Sequence, residues 1–213
     1  MKKLFIFDVD GTLVEAYRAI RQSLNHALVE LGYKKEVSLE TVKYSVGRGD
    51  VLFIKKFFKL AEREKALEIY RKHHKKSLLK LVKAAPLARQ TLYSLKRKKK
   101  LIAVASNRPT QFTEIILKQT GLKKHLDYVL CADKLEKLKP DPAILFRLME
   151  KFKVRREETV FIGDMDIDML TAKKAGVEKV FIKGGSTPLS ALKKDYGKIR
   201  VIASLKEVVE VYG

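Results

Sequence analysis

The side chains whose placement could do chemistry in this chain are carboxylates. Asp8 and Asp10 end a short apolar run, Leu4-Phe5-Ile6-Phe7, within the segment Asp8-Val9-Asp10-Gly11-Thr12. Asp164, Asp166 and Asp168 follow a second run, Val160-Phe161-Ile162-Gly163. A third, Leu101-Ile102-Ala103-Val104-Ala105, ends in Ser106-Asn107, and Lys139-Pro140-Asp141-Pro142 precedes a helical pattern. Each type has a task in phosphoryl transfer. A carboxylate can attack phosphorus and carry the group as an acyl phosphate, splitting one hard displacement into two easier ones. Several carboxylates around one point repel unless a hard cation lies among them, and oxygen ligands of this kind suit Mg²⁺. That cation then orients the phosphoryl group and neutralises its charge. A lysine ammonium and a serine hydroxyl suit the remaining phosphate oxygens. Gly11 lets backbone N–H groups approach an anion closely.

These residues work together only if the fold brings their segments to one place. The apolar runs at 4–7, 101–105, 128–131, 160–162, 180–182 and 201–203 have strand length and are apolar throughout. Helical patterns separate them over 87–98, 110–120, 142–152 and 166–175, with further helices expected after Pro188 and from Ser204. Pro86 opens the first of these and Gly121 closes the second, in keeping with their preferences at helix ends. Strands without polar alternation, joined by helices, predict a parallel sheet covered on both faces. Ligands of such sheets bind beyond the carboxyl ends of the strands, where all the polar segments above fall.

The first strand is split from the rest by about 70 residues that read as helix throughout, over 16–31, 38–46, 51–60 and 61–82. No strand is expected between Gly32 and Ala85. The fold class expected is therefore α/β, a Rossmann-like open parallel sheet. Residues 1–15 and 86–213 form its core, and residues 16–85 an inserted all-helical cap.

In order and placement, Asp8-Val9-Asp10-Gly11-Thr12, Ser106, Lys139 and Gly163-Asp164…Asp168 resemble the haloacid dehalogenase superfamily, specifically its phosphatases of the phosphoglycolate phosphatase type with a small helical cap. The resemblance covers nearly the whole chain. It implies Asp8 as nucleophile and Asp10 as general acid and base, with the Asp10 main-chain carbonyl also meeting the metal. It implies Asp8, Asp10, Asp164 and Asp168 around Mg²⁺, and Gly11, Thr12, Ser106, Asn107 and Lys139 around the phosphate. Asp166 falls one residue off the usual ligand position. A carboxylate at position 10 favours phosphate chemistry over carbon–halogen cleavage, since dehalogenase members lack it. The implied partner is a small anionic phosphoester. Arg48, between Gly47 and Gly49 in the cap, and Arg108, after Ser106-Asn107, are candidates for a second substrate anion such as a carboxylate.

Composition sets the rivals. The 213 residues carry 46 Lys and Arg against 25 acids, a formal charge of +21. Residues 16–85 hold 17 of these bases and 7 acids, net +10, so core and cap share the excess. A basic nucleic-acid-binding protein is the alternative from another class, and a sugar phosphomutase the alternative within the superfamily. A cationic exterior drawing anionic esters to an acidic centre accounts for the same charge. The single cysteine, Cys131, excludes a disulfide framework and reads as core. Asp8 cuts the first apolar stretch to four residues, too short for a signal h-region, and no run approaches the roughly 20 needed to cross a bilayer. A cytoplasmic protein without membrane contact is expected. His26, His73, His74 and His125 lack ligand-like partners in the sequence and read as solvated or packing residues.

Overall fold

The computed structural model describes residues 1–192 and 196–212. Its centre is β1 (Leu4–Phe7), all four residues of which are buried. Phe5 and Phe7 join one hydrophobic cluster and Leu4 and Ile6 another, as the two-residue period of a strand covered on both faces demands. The other strands of the sheet are β4 (Leu101–Ser106), β5 (Tyr128–Cys131), β6 (Thr159–Gly163), β7 (Glu178–Ile182) and β8 (Arg200–Ile202). All pair in parallel, in the spatial order β5-β4-β1-β6-β7-β8.

The register sets the site. Phe7 lies opposite Val104 on one side and Ile162 on the other. The next residue, Asp8, donates its N–H to Ile162 O at 2.9 Å. The ends of β1, β4 and β6 therefore stand level where the sheet changes direction, the position at which open α/β sheets bind ligands.

Helices α5 (Ala88–Arg97), α6 (Thr110–Gln119), α7 (Ala143–Phe152), α8 (Asp166–Ala175) and α9 (Lys206–Tyr212) accompany the sheet. Between β1 and β4 lie α1 (Tyr17–Glu30), α2 (Leu39–Ser45), α3 (Asp50–Lys55) and α4 (Arg63–Leu81). Ser38 caps α2, its Oγ accepting from Thr41 N at 3.1 Å. The pattern over 51–60 predicted one helix, but α3 ends at Lys55, and a 3₁₀ turn at Leu60–Glu62 leads into α4. Phe53, Ile54 and Phe58 are buried among these helices.

Two expectations give way. The helical stretch begins and ends in a two-stranded antiparallel ribbon, β2 (Val14–Glu15) with β3 (Lys83–Ala84), although no strand was expected between Gly32 and Ala85. Strands of two residues carry no period; they exist because the outgoing and returning chains meet, with Ala85 N donating to Leu13 O at 2.9 Å. After Pro188 the described residues begin with a 3₁₀ turn, Leu189–Ala191, where an α-helix was expected, and part of that expected helix lies outside the described residues. No described helix is long and apolar enough to cross a membrane.

Candidate active site

Three carboxylates meet at the strand ends. Asp8 leaves β1, Asp164 follows β6, and Asp168 is in the first turn of α8; one oxygen of each lies within 4.8 Å of the others, and all three residues are buried. Lys139 reaches into this group from the loop before α7. Its Nζ donates to Asp8 Oδ1 at 2.6 Å, Asp168 Oδ1 at 2.7 Å and Ala105 O at 3.1 Å. An ammonium has three hydrogens, and all three are engaged.

The cluster is electrostatically frustrated. Burial pushes the Asp8 carboxyl well above its ordinary range, Lys139 pulls it back, and the charges of Asp168 and Asp164 push it up again. Burial, with the charge of Asp168, pushes Asp164 up to about 7. Burial alone would lower the Lys139 pKa, but Asp168 and Asp8 hold it raised. One ammonium among three buried carboxylates leaves negative charge in excess, so this donor set fits a hard divalent cation. Space is reserved as well: a Cβ on Gly11 would come within 2.1 Å of Tyr17 Oη and 2.3 Å of Asp164 Oδ2, and one on Gly163 within 2.4 Å of Asp168 Oδ2. Gly11 also has φ +85°, the left-handed region that suits glycine.

Asp10 lies apart from this cluster. Its two carboxylate oxygens accept from Arg108 Nε and Arg108 Nη2, each at 2.8 Å, in a bidentate pair. Ser106 is buried at the end of β4, and its Oγ accepts from Arg108 N at 3.1 Å, which leaves the hydroxyl hydrogen available to an anion. A cavity of about 60 Å³ lies over these groups, lined on the polar side by Asp8, Asp10, Ser106, Arg108 and Lys139 and on the apolar side by residues that include Phe53 and Phe112. That is room for a few waters or a small ligand.

Several residues expected on phosphate also make bonds within the site. Gly11 N donates to Val14 O at 2.9 Å and Thr12 N to Val9 O at 3.3 Å, so the tight turn after β1 uses both donors. The Thr12 hydroxyl donates to Asp164 Oδ1 at 3.1 Å. Asn107 clamps the Lys139 backbone, accepting from Lys139 N at 2.8 Å and donating to Lys139 O at 3.0 Å. The same amide donates to Gly47 O at 2.8 Å, which ties the helical segment to the sheet. Arg48 is exposed and does not line the cavity; the arginine that does is Arg108.

Other participants were not anticipated. Tyr17 Oη lies 2.7 Å from Ser186 Oγ and 3.3 Å from Asp164 Oδ2, while Ser186 N donates to Asp164 Oδ2 at 2.6 Å. Gly185 makes room there, since a Cβ on it would lie 2.1 Å from Asp164 Oδ2. The segment Gly184-Gly185-Ser186 follows β7, so the rule that polar residues beyond strand ends matter applies to it as well. His74, read as solvated or packing, is fully buried and lies 2.7 Å from Arg108 Nη1 through its Nε2.

The model of the haloacid dehalogenase-like hydrolase family matches residues 5–182. The chain belongs to this family. Among its relatives is a phosphoglycolate phosphatase of Vibrio parahaemolyticus serotype O3:K6, 33% identical over 98% of this chain and 95% of its own length. Another, from Aquifex aeolicus, is 28% identical over 91% of both chains. In fold, the chain is similar to a predicted phosphoglycolate phosphatase of Haemophilus somnus 129PT, with a TM-score of 0.91 and 23% identity over 100% of this chain and 98% of that one.

Proposed function

We propose that the chain is a Mg²⁺-dependent phosphatase of small phosphate monoesters that works through a phosphorylated Asp8. It is a phosphoric monoester hydrolase of its family, and its phosphoglycolate phosphatase relatives make phosphoglycolate-like esters the first substrates to consider. The observation that carries the reading is the buried triad Asp8, Asp164 and Asp168, with Asp8 and Asp168 on one ammonium and Asp10 two residues beyond Asp8.

Lys139 holds one oxygen of Asp8, so the carboxylate is oriented to attack phosphorus with the other. In the first step Asp8 forms a bond to phosphorus as the ester oxygen leaves, and that oxygen takes a proton from Asp10. In the second, Asp10 takes a proton from water, the water oxygen bonds to phosphorus, and Asp8 is released as carboxylate. Ser106 donates to a phosphoryl oxygen, and Arg108 faces a second anion of the substrate. When bound among Asp8, Asp164 and Asp168, Mg²⁺ neutralises charge on the phosphoryl group and on Asp8. Residues 16–85 act as the cap, with α1, α3 and α4 supplying the cavity's apolar wall, which excludes water and limits substrate size.

The test is phosphate release from a panel of phosphoesters with and without Mg²⁺. Release that depends on Mg²⁺ and is lost in Asp8→Asn supports the reading. The reading fails if no ester is hydrolysed in Mg²⁺, or if Asp8→Asn keeps full activity. Turnover confined to phosphosugars and dependent on a bisphosphate activator would instead identify a phosphomutase.

A further inference from the structure

The Asp10–Arg108 pair sets a condition on catalysis. A general acid must turn an oxygen toward the leaving group, yet both Asp10 oxygens face the Arg108 guanidinium. Each Asp10 oxygen keeps a second lone pair, but the bidentate pair fixes the carboxyl toward Arg108, and it must give up at least one of these bonds to turn toward the ester oxygen. The pair borders the cavity, its side chains 18% and 10% exposed, so a ligand can reach it.

The guanidinium is held from its other side. Arg108 Nη1 donates to His74 Nε2 at 2.7 Å, and His74 Nδ1 lies 3.1 Å from Ser23 Oγ. Ser23 donates its single hydroxyl hydrogen to Ala19 O at 2.8 Å, so it accepts from His74 Nδ1–H. This bonding assigns a neutral imidazole with Nε2 as acceptor. The ring is stacked on Tyr70 and set edge-on to Phe112, which fixes its plane. A guanidinium has five N–H donors. Three are engaged among the described residues, two on Asp10 and one on His74. Asp50, the other carboxylate lining the cavity, is itself paired bidentately with Arg71 at 2.7 and 3.0 Å, so it does not compete for Arg108.

We infer that Arg108 is an exchange site at which a carboxylate of the substrate displaces Asp10, freeing Asp10 for proton transfer, with His74 as the positioning residue that keeps the guanidinium in place. The inference rests on the phosphatase reading above and adds a specificity device to it. A substrate with a phosphate and a carboxylate a short chain apart replaces one carboxylate on Arg108 by another and releases the acid as it binds. A phosphoester without a second anion reaches Asp8 but leaves Asp10 paired. Discrimination therefore appears in kcat as well as in KM, because recognition at Arg108 releases the group that transfers the proton.

The test compares 2-phosphoglycolate with ethyl phosphate, which lacks the carboxylate, both in saturating Mg²⁺. Wild-type kcat is expected to be at least about tenfold higher for phosphoglycolate, a lower bound on the ~10²–10⁴-fold contribution of a positioned general acid. Sodium acetate, added at constant ionic strength, is expected to raise kcat for ethyl phosphate by filling Arg108 in trans, an effect that needs no variant. In Arg108→Gln the two kcat values converge and the acetate effect disappears. His74→Phe keeps the ring stacking but lacks the acceptor, and raises KM for phosphoglycolate more than it lowers kcat; His74→Gln restores an acceptor and part of the affinity. Equal wild-type kcat for the two esters, or no acetate activation, overturns this inference and leaves the phosphatase reading standing. No release from either ester overturns both.

Discussion

Lys139 Nζ stands 2.6 Å from Asp8 Oδ1, across 131 residues of chain, and both side chains are buried. The same ammonium lies 2.7 Å from Asp168, so one cation holds the proposed nucleophile and a proposed metal ligand in fixed relation. Buried ion pairs gain little over apolar packing, but removing one partner strands the other.

Lys139→Met is therefore expected to lower unfolding free energy by about 3–5 kcal/mol in chelator, since Asp8 and Asp168 lose their shared cation. Mg²⁺ should restore part of the loss by supplying charge. Urea titrations with EDTA or with MgCl₂ measure both effects, and equal midpoints for variant and wild type in EDTA contradict the account.

The pH dependence of metal stabilisation has a definite sign. Asp164 is raised in the folded chain from an ordinary value near 3.8 to about 7, chiefly by burial and then by Asp168. Between those values the folded state binds more protons than the unfolded state, so metal-free stability falls as pH rises through the window. A divalent cation favours the ionised form and competes with the proton. The rise in Tm on adding Mg²⁺ should be larger at pH 8 than at pH 5.5. A shift independent of pH counts against metal binding at Asp164.

Gly11→Ala is expected to damage the site more than Gly32→Ala. Both positions have positive φ, +85° and +80°, but a Cβ at 32 meets nothing within 4 Å, whereas one at 11 strikes Tyr17 and Asp164. Gly32→Ala costs about 1 kcal/mol of backbone strain. Gly11→Ala adds overpacking of about 1–3 kcal/mol and displaces a carboxylate. Thermal melts with and without Mg²⁺ separate the two, and only Gly11→Ala should weaken the metal response.

Tyr17→Phe removes the hydroxyl that links Ser186 and Asp164, both buried. The loss of stability should be about 1–2 kcal/mol. Groups that orient metal ligands are worth ~10–100-fold in metal affinity, so Mg²⁺ activation curves should move to higher concentration with modest change in maximal rate. An unchanged half-activating concentration would place Tyr17 outside the metal's support.

Much of the site was legible because open parallel sheets gather strand ends. Asp8, Ser106 and Asp164 each follow an apolar run, and these runs became adjacent strands with their ends level. Lys139, between two such runs, joined them. What local pattern missed were pairings made across the fold. The amide of Asn107 has the chemistry to bind phosphate, and in the folded chain it also clamps the backbone of Lys139, 32 residues away. Arg48 and Arg108 were equivalent as residue types; burial distinguished them, leaving one exposed and one in the cavity.

The sequence by itself determined the alternation of strands and helices, the long helical interruption and the acidic character of the centre, because periodicity and strand-end chemistry are local properties. The tertiary structure alone decided that Asp10 faces Arg108, that His74 stands behind that arginine, and that Tyr17 and Ser186 brace Asp164. Those partners come from α1, α4 and the loops after β1, β4, β6 and β7. A hydrogen bond depends on where an atom arrives in space, and a residue's neighbours in sequence do not specify that.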